Sequence, residues 1–169
     1  MNTTKKATWF LTIQALLIIL FTAGNLQAQT SSNVERTEYY KTIASEDLEA
    51  INTKIDAISK SDEKNKEAFE GALMMKRAGL LKGPAKKLKE FKAGREKLEN
   101  KISSDGNNAE LRFLRLIIQE KAPGILGYNK ELESDHKYIV ANFKSLPEAT
   151  QKVVKDYSKS SKVLSPSDF

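Results

Sequence analysis

Apolar residues recur at three- and four-residue steps along almost the whole chain after residue 45, and that period leaves room for helices and little else. Leu48, Ile51, Ile55 and Ile58 form one such stripe, which predicts an amphipathic helix begun near Ser45. A second helix is expected from Ser61 or Asp62, burying Phe69, Ala72, Leu73 and Leu80. At 100° per residue Lys76 falls on the same face, so its stem must lie along the core. Gly79 and Gly83 loosen that helix's end, and Pro84 suits the first turn of a third, where a missing N–H costs nothing. The third helix is expected to bury Leu88, Phe91, Leu98 and Ile102, and residues 103–106 close it.

Asn107 or Asn108 is placed to cap a fourth helix, with Leu111, Leu114, Ile117 and Ile118 inward and Phe113 beside them. It must stop before Pro123, because the residue ahead of a proline avoids the α region. Residues 124–127 read as an apolar corner, and Asn129 as the start of a fifth helix carrying Leu132, Ile139, Val140 and Phe143. Ser145 and Glu148 have capping-box spacing, which predicts a last helix with Ala149, Val153, Val154 and Tyr157. Tyr39 and Tyr40 lie in a lead-in whose pattern leaves helix and coil open. The connections are short, so neighbours should pair as antiparallel αα-hairpins. The expectation is an all-α single domain of five or six antiparallel helices over residues 34–157, then a flexible serine-rich tail, 158–169.

The N-terminus says where such a domain works. Lys5 and Lys6 precede an almost wholly apolar run, 10–23, and small and polar residues follow to Leu26-Gln27-Ala28. A basic start, a short apolar run and a small-residue exit mark a secretory signal peptide. The run is shorter than the ~20 apolar residues a comfortable membrane span needs. Residues 1–28 are therefore expected to be removed, 29–33 to be a polar linker, and the product to be exported to the periplasm or beyond the cell. Leu26 stands where a small residue suits cleavage better, so an uncleaved anchor is the competing reading. The chain has no cysteine, which excludes disulfides, thiolate chemistry and lipid attached to a cysteine.

Charge is unevenly placed. The whole chain carries +6. From Asn33 to Met75 there are ten acids against six bases, whereas from Lys76 to Lys101 there are ten bases against Glu90, Glu96 and Glu99. On the helix after Pro84, Lys86, Lys89, Lys97 and Lys101 fall opposite the apolar stripe and form a candidate anion-binding face for lipid headgroups or polysaccharide. Export and the lack of interleaved aromatic residues disfavour nucleic acid.

Catalytic constellations do not emerge. The one histidine, His136, follows Glu133 by three residues, a spacing used in carboxylate-bridged di-iron sites, but those need a second such unit. Its neighbours at helical spacing are Leu132, Ile139 and Phe143, so a packed core histidine is expected instead of a metal ligand. The serines occupy loops and caps, and acid pairs such as Glu131 and Asp135 read as a solvated helix face. Gly124-x-x-Gly127 lacks the lysine and the preceding strand of a phosphate-binding loop. No cofactor or metal is expected.

The pair of helices around Ala78-Gly79, with Phe91, Gly94, Leu98 and Ile102 and the turn Asp105-Gly106-Asn107-Asn108-Ala109-Glu110, resembles a tetratricopeptide-type unit. Gly106 stands where that family's turn usually has proline, and no second copy follows at its period of ~34 residues. Residues 109–115 with Gly127-Tyr128-Asn129 resemble small secreted helical proteins common among Bacteroidetes, a likeness that implies location and fold but no chemistry. The functional expectation is a non-enzymatic exported helical module that binds a protein or peptide partner in the cell envelope. The alternative is an anion-binding surface protein using residues 76–101.

Overall fold

The computed structural model describes residues 35–169, and the signal segment and linker expected at 1–28 and 29–33 lie outside the described residues. Seven α-helices and no strand occur among them: α1 (35–44), α2 (Leu48–Ser59), α3 (Lys66–Leu80), α4 (Pro84–Ser104), α5 (Ala109–Lys121), α6 (Leu132–Ala141) and α7 (Glu148–Ser158). The protein is all-α. The helix beyond the expected six is α1, whose Tyr39, Tyr40 and Ile43 are buried.

Local chemistry accounts for the helix starts. The Asp47 carboxylate accepts from the Glu49 and Ala50 amides at 2.9 and 3.1 Å and begins α2, three residues later than expected, while Ser45 donates its hydroxyl back to the Thr42 carbonyl. Asn108 caps α5 in the same way through the Glu110 and Leu111 amides. At α4, Gly83 takes a φ of 87°, a left-handed value that favours glycine, and Pro84 fills the first turn. The capping box expected from Ser145 and Glu148 does not form. Ser145 donates to the Asn142 carbonyl within a 3₁₀ turn, Pro147 precedes α7, and Glu148 pairs with Lys152 instead. Likewise α3 begins at Lys66 and α6 at Leu132, each a few residues after the expected start.

Helices α3 and α4 form the longest hairpin, and its antiparallel register is read from its contacts. Arg77 pairs with Glu90, Glu70 with Lys97, and Gly71 faces Gly94. These two glycines bring the backbones together: a Cβ on Gly71 would stand 2.5 Å from the Gly94 carbonyl oxygen, and one on Gly94 equally close to that of Gly71. Phe91, Leu98 and Ile102 are buried as expected, but Leu88 is 42% exposed, because α4 runs past its neighbours before Phe91 meets Tyr128.

The core centres on α5, which is buried almost all round and not along one stripe; Leu116, Arg115, Glu110 and Gln119 are enclosed along with Leu111, Phe113, Leu114 and Ile118. The reason is topological: α3, α4 and α6 pack on it, and α7 runs parallel to it, with Thr150 on Glu110 and Tyr157 on Phe113.

Residues 158–169, expected as a flexible tail, are docked on the bundle. Leu164 is 2% exposed, Phe169 stacks on Phe143 with ring centroids 4.6 Å apart, and Glu120 accepts from the Ser161 hydroxyl and the Lys162 amide, both at 2.7 Å. Ser165 and Asp168 form a capping box around the last turn, Pro166–Asp168. The composition is that of a loose end, but two apolar side chains and a set of local caps hold it.

Candidate functional site

The end of the α3–α4 hairpin is the most exposed and most one-sidedly charged part of the described surface. No acidic residue occurs between Glu70 and Glu90, while Lys76, Arg77, Lys82, Lys86, Lys87 and Lys89 do. The structure sorts these bases. Lys76 pairs with Glu46 at 2.5 Å and Arg77 with Glu90, which leaves Lys82, Lys86, Lys87 and Lys89 with no carboxylate partner among the described residues. Lys87 donates to the Gly79 carbonyl at 2.8 Å and ties the two helix ends together. Every residue from Lys82 to Lys89 is exposed, so the first turns of α4 stand clear on all sides, about 10 Å of helix before Phe91 becomes buried. Leu80 and Leu81 are half-buried there, and Leu88 sits among the lysines.

The four lysines expected to share one face do not converge. Lys86 and Lys89 belong to the tip. Lys97 is drawn into an ion pair with Glu70 at 2.9 Å across the hairpin, and Lys101 is half-buried. A 1.5 Å rise per residue also separates Lys86 from Lys101 by about 22 Å along the helix. Lys82 and Lys87 take their place, signalled in the sequence by the acid-free run and not by helical phase.

A concave surface of about 470 Å³ lies elsewhere, between α1, α2 and the turn into α3. Tyr39, Ala57, Ile58 and Phe69 supply its apolar lining, and Glu35, Arg36, Lys54, Asp62 and Glu63 its charged lining. Arg36 is held there by Glu63 and Glu110 at 3.4 and 3.3 Å and lies over the Phe69 ring.

Behind the groove, Glu110 is enclosed, accepting hydroxyls from Thr150 at 2.6 Å and Tyr40 at 3.2 Å. Burial pushes its carboxyl above the usual glutamate value, against the opposing pull of Arg36 and the two hydroxyls. A carboxyl raised in the folded state binds its proton more tightly there than when unfolded. Its contribution to stability is therefore full at low pH and is lost as pH rises through the interval above the ordinary value of about 4.3. Glu110→Gln is expected to flatten the pH dependence of stability over that interval, measured by urea unfolding at a series of pH values. A slope unchanged by the substitution would show that other groups set it.

The remaining candidates are placed apart. His136, expected in the core, is half-exposed and faces Asp168 of the docked tail at 3.2 Å. Glu133 is exposed and paired with Lys137. Asp135, read from the sequence as part of a solvated face, is wholly buried: Arg115 grips it with two bonds of 2.7 Å, and Arg112 reaches it at 3.3 Å. Glu99 completes this network from Arg115 at 2.8 Å and the Tyr128 hydroxyl at 2.5 Å. Burial lowers the Arg115 guanidinium's proton affinity, but Asp135 and then Glu99 outweigh it and hold it above its usual value. Among the described residues no group of three or more His, Asp or Glu side chains is placed to hold a metal ion, and no helix is long and apolar enough to cross a membrane.

Comparison of the chain with family models, with curated proteins and with solved structures gave no match.

Proposed function

We propose that this chain is an exported, non-enzymatic helical module that acts by binding, and that the hairpin tip, residues 80–89, is its contact with an anionic component of the cell envelope. The observation that carries this reading is the exposure of Lys82, Lys86, Lys87 and Lys89 together on one projecting end, with no carboxylate between Gly71 and Lys89. Basic residues that only kept the helix soluble would be interspersed with acids, as they are on α7. Export is supported by the basic, apolar and small-residue order of residues 1–28. The close Gly71–Gly94 approach and the Asn108 cap fit a tetratricopeptide-like construction of α3, α4 and the turn after them.

Retention of the full chain on immobilised heparin tests the reading. It is expected to fall steeply between low and physiological ionic strength, since exposed charges are screened within about 8 Å at physiological salt. Lys86→Gln/Lys89→Gln is expected to elute earlier. Retention indifferent to salt and to that double substitution sinks the reading.

The groove at Tyr39, Ile58 and Phe69 supports a second reading, a protein or peptide partner whose apolar side chain enters it beside its charged lining. Ala57→Trp would fill the groove without touching the tip. Capture of an envelope protein that survives salt and is lost in Ala57→Trp would favour this reading over the basic tip.

A further inference from the structure

Lysines alone suit a sulfated glycan as well as a lipid headgroup; the apolar residues beside them do not. Leu88, Ile125 and Leu48 are the exposed large apolar side chains among the described residues, Ile125 at 95% and Leu88 at 42%. Leu88 and Ile125 stand at the same end of the bundle. Helix α4 runs away from the tip, α5 returns, and the turn that follows α5 carries Ile125 in the 3₁₀ segment Gly124–Leu126. That turn is fastened to the base of the tip by Tyr128, whose ring meets Phe91 at 5.6 Å and lies under Arg95 at 4.8 Å. Lys121 and Lys130 flank the turn, both exposed and neither paired with a carboxylate among the described residues. Of the acids nearest in sequence, Glu90 pairs with Arg77, Glu120 accepts from Ser161 and Lys162 of the C-terminal segment, and Glu131, exposed beside Lys130, accepts from the Ser134 hydroxyl. This end of the molecule therefore carries an exposed leucine and an exposed isoleucine together with lysines that have no carboxylate partner among the described residues. A glycan offers nothing for those apolar groups to enter, whereas the headgroup–acyl boundary of a bilayer takes both kinds.

We propose that this end rests on an anionic bilayer as a peripheral contact, with Leu88 and Ile125 entering the boundary region and Lys82, Lys86, Lys87 and Lys89 against lipid phosphates. The inference depends on the anion-binding reading and narrows it to one partner. Each basic residue at an anionic membrane surface is worth about fivefold in partitioning, and the leucine adds to that.

The absence of cysteine makes the test direct, because a single introduced thiol is the only labelling site. An environment-sensitive nitrobenzoxadiazole probe is attached to the full chain as Leu88→Cys, Ile125→Cys or, at the far end of α4, Ser103→Cys. Vesicles of equimolar phosphatidylcholine and phosphatidylglycerol are expected to brighten and blue-shift the probes at 88 and 125 and leave the one at 103 unchanged. Vesicles of phosphatidylcholine alone are expected to leave all three dark. Adding Lys86→Gln/Lys89→Gln is expected to raise the lipid concentration for half response about 30-fold. Attachment through the apolar run at 10–23 would tether all three probes alike, so the contrast between 88 and 103 reads the tip. Equal responses at all three positions, an equal response to neutral lipid, or none at all overturns the proposal. Dark probes with salt-sensitive heparin retention leave the anion-binding reading intact with a soluble polyanion as partner; dark probes without retention remove both.

Discussion

Asp135→Ala is expected to destabilise the protein by about 4 kcal/mol, because it strands a buried positive charge. Asp135 is wholly buried, and both of its oxygens are occupied: Oδ2 by Arg115 Nε, and Oδ1 by Arg115 and Arg112. Removing it leaves the Arg115 guanidinium enclosed at the centre of the bundle with only Glu99 to balance it. Breaking one partner of a buried pair costs about 3–5 kcal/mol, since the other charge stays desolvated. Arg112 suffers less, as it is partly open to water and lies over the Tyr138 ring at 4.2 Å. Replacing both partners with apolar residues, Arg115→Met/Asp135→Leu, is expected to cost far less than the two single changes added together. Urea unfolding of Asp135→Ala and of the four proteins in that cycle measures this. A cost below about 1 kcal/mol for Asp135→Ala would mean that water reaches the network in solution.

Gly71→Ala and Gly94→Ala are each expected to cost about 2 kcal/mol net and to lower the melting temperature by roughly 8 °C. Alanine in a helix interior is favoured over glycine by about 1 kcal/mol, so an unobstructed site would be stabilised. Neither site is unobstructed. The added Cβ at Gly71 would meet the Gly94 oxygen at 2.5 Å and the Leu98 nitrogen at 3.0 Å; at Gly94 it would meet the Gly71 oxygen and the Met75 nitrogen. Each of these atoms is backbone and cannot rotate aside, so α3 and α4 must separate, at the upper end of the 1–3 kcal/mol typical of overpacking. Once one methyl has forced them apart the second finds room, and the double variant should cost clearly less than the two single costs combined. Thermal unfolding followed by circular dichroism decides it, and a raised melting temperature for either single variant would refute the close crossing. Gly79→Ala is the matched control, because nothing lies within 4 Å of a Cβ there.

Much of the helical framework is legible in the sequence because its determinants are local. Asn108 caps α5, Pro84 opens α4 after Gly83, and α5 ends before Pro123, each where neighbouring residues alone require it. Helix starts are less legible where two polar residues compete, as with Ser45 against Asp47, and only hydrogen-bond geometry separates such neighbours. The larger differences share one cause. A helical wheel assumes one buried face, but α5 is covered on nearly every side, so Glu110 and Arg115 are enclosed and Asp135 is drawn in to meet the arginine. Leu88 departs in the opposite direction: its phase is that of the core, yet α4 extends past anything that could cover it. The tail reads as loose because Leu164 and Phe169 are isolated in a serine-rich stretch and acquire partners only through folding.

The basic block shows the same division. Its excess of lysine is a property of the sequence, and so is the absence of carboxylate between Glu70 and Glu90. Which lysines remain free depends on what lies opposite: Glu70 takes Lys97, Glu46 takes Lys76, and nothing reaches Lys82, Lys86 or Lys89.

Period, caps and composition determined on their own that this chain is helical, cysteine-free and basic in one block, because those properties depend on residues within a turn or two of each other. Only the tertiary structure decided which charges are buried in pairs, which glycines lie at a crossing, and which lysines and leucines stand at one bare end. Those outcomes depend on residues 20 or more positions apart in the chain, such as Arg115 and Asp135, Gly71 and Gly94, or Glu70 and Lys97, and no periodicity along one helix encodes what the next will cover.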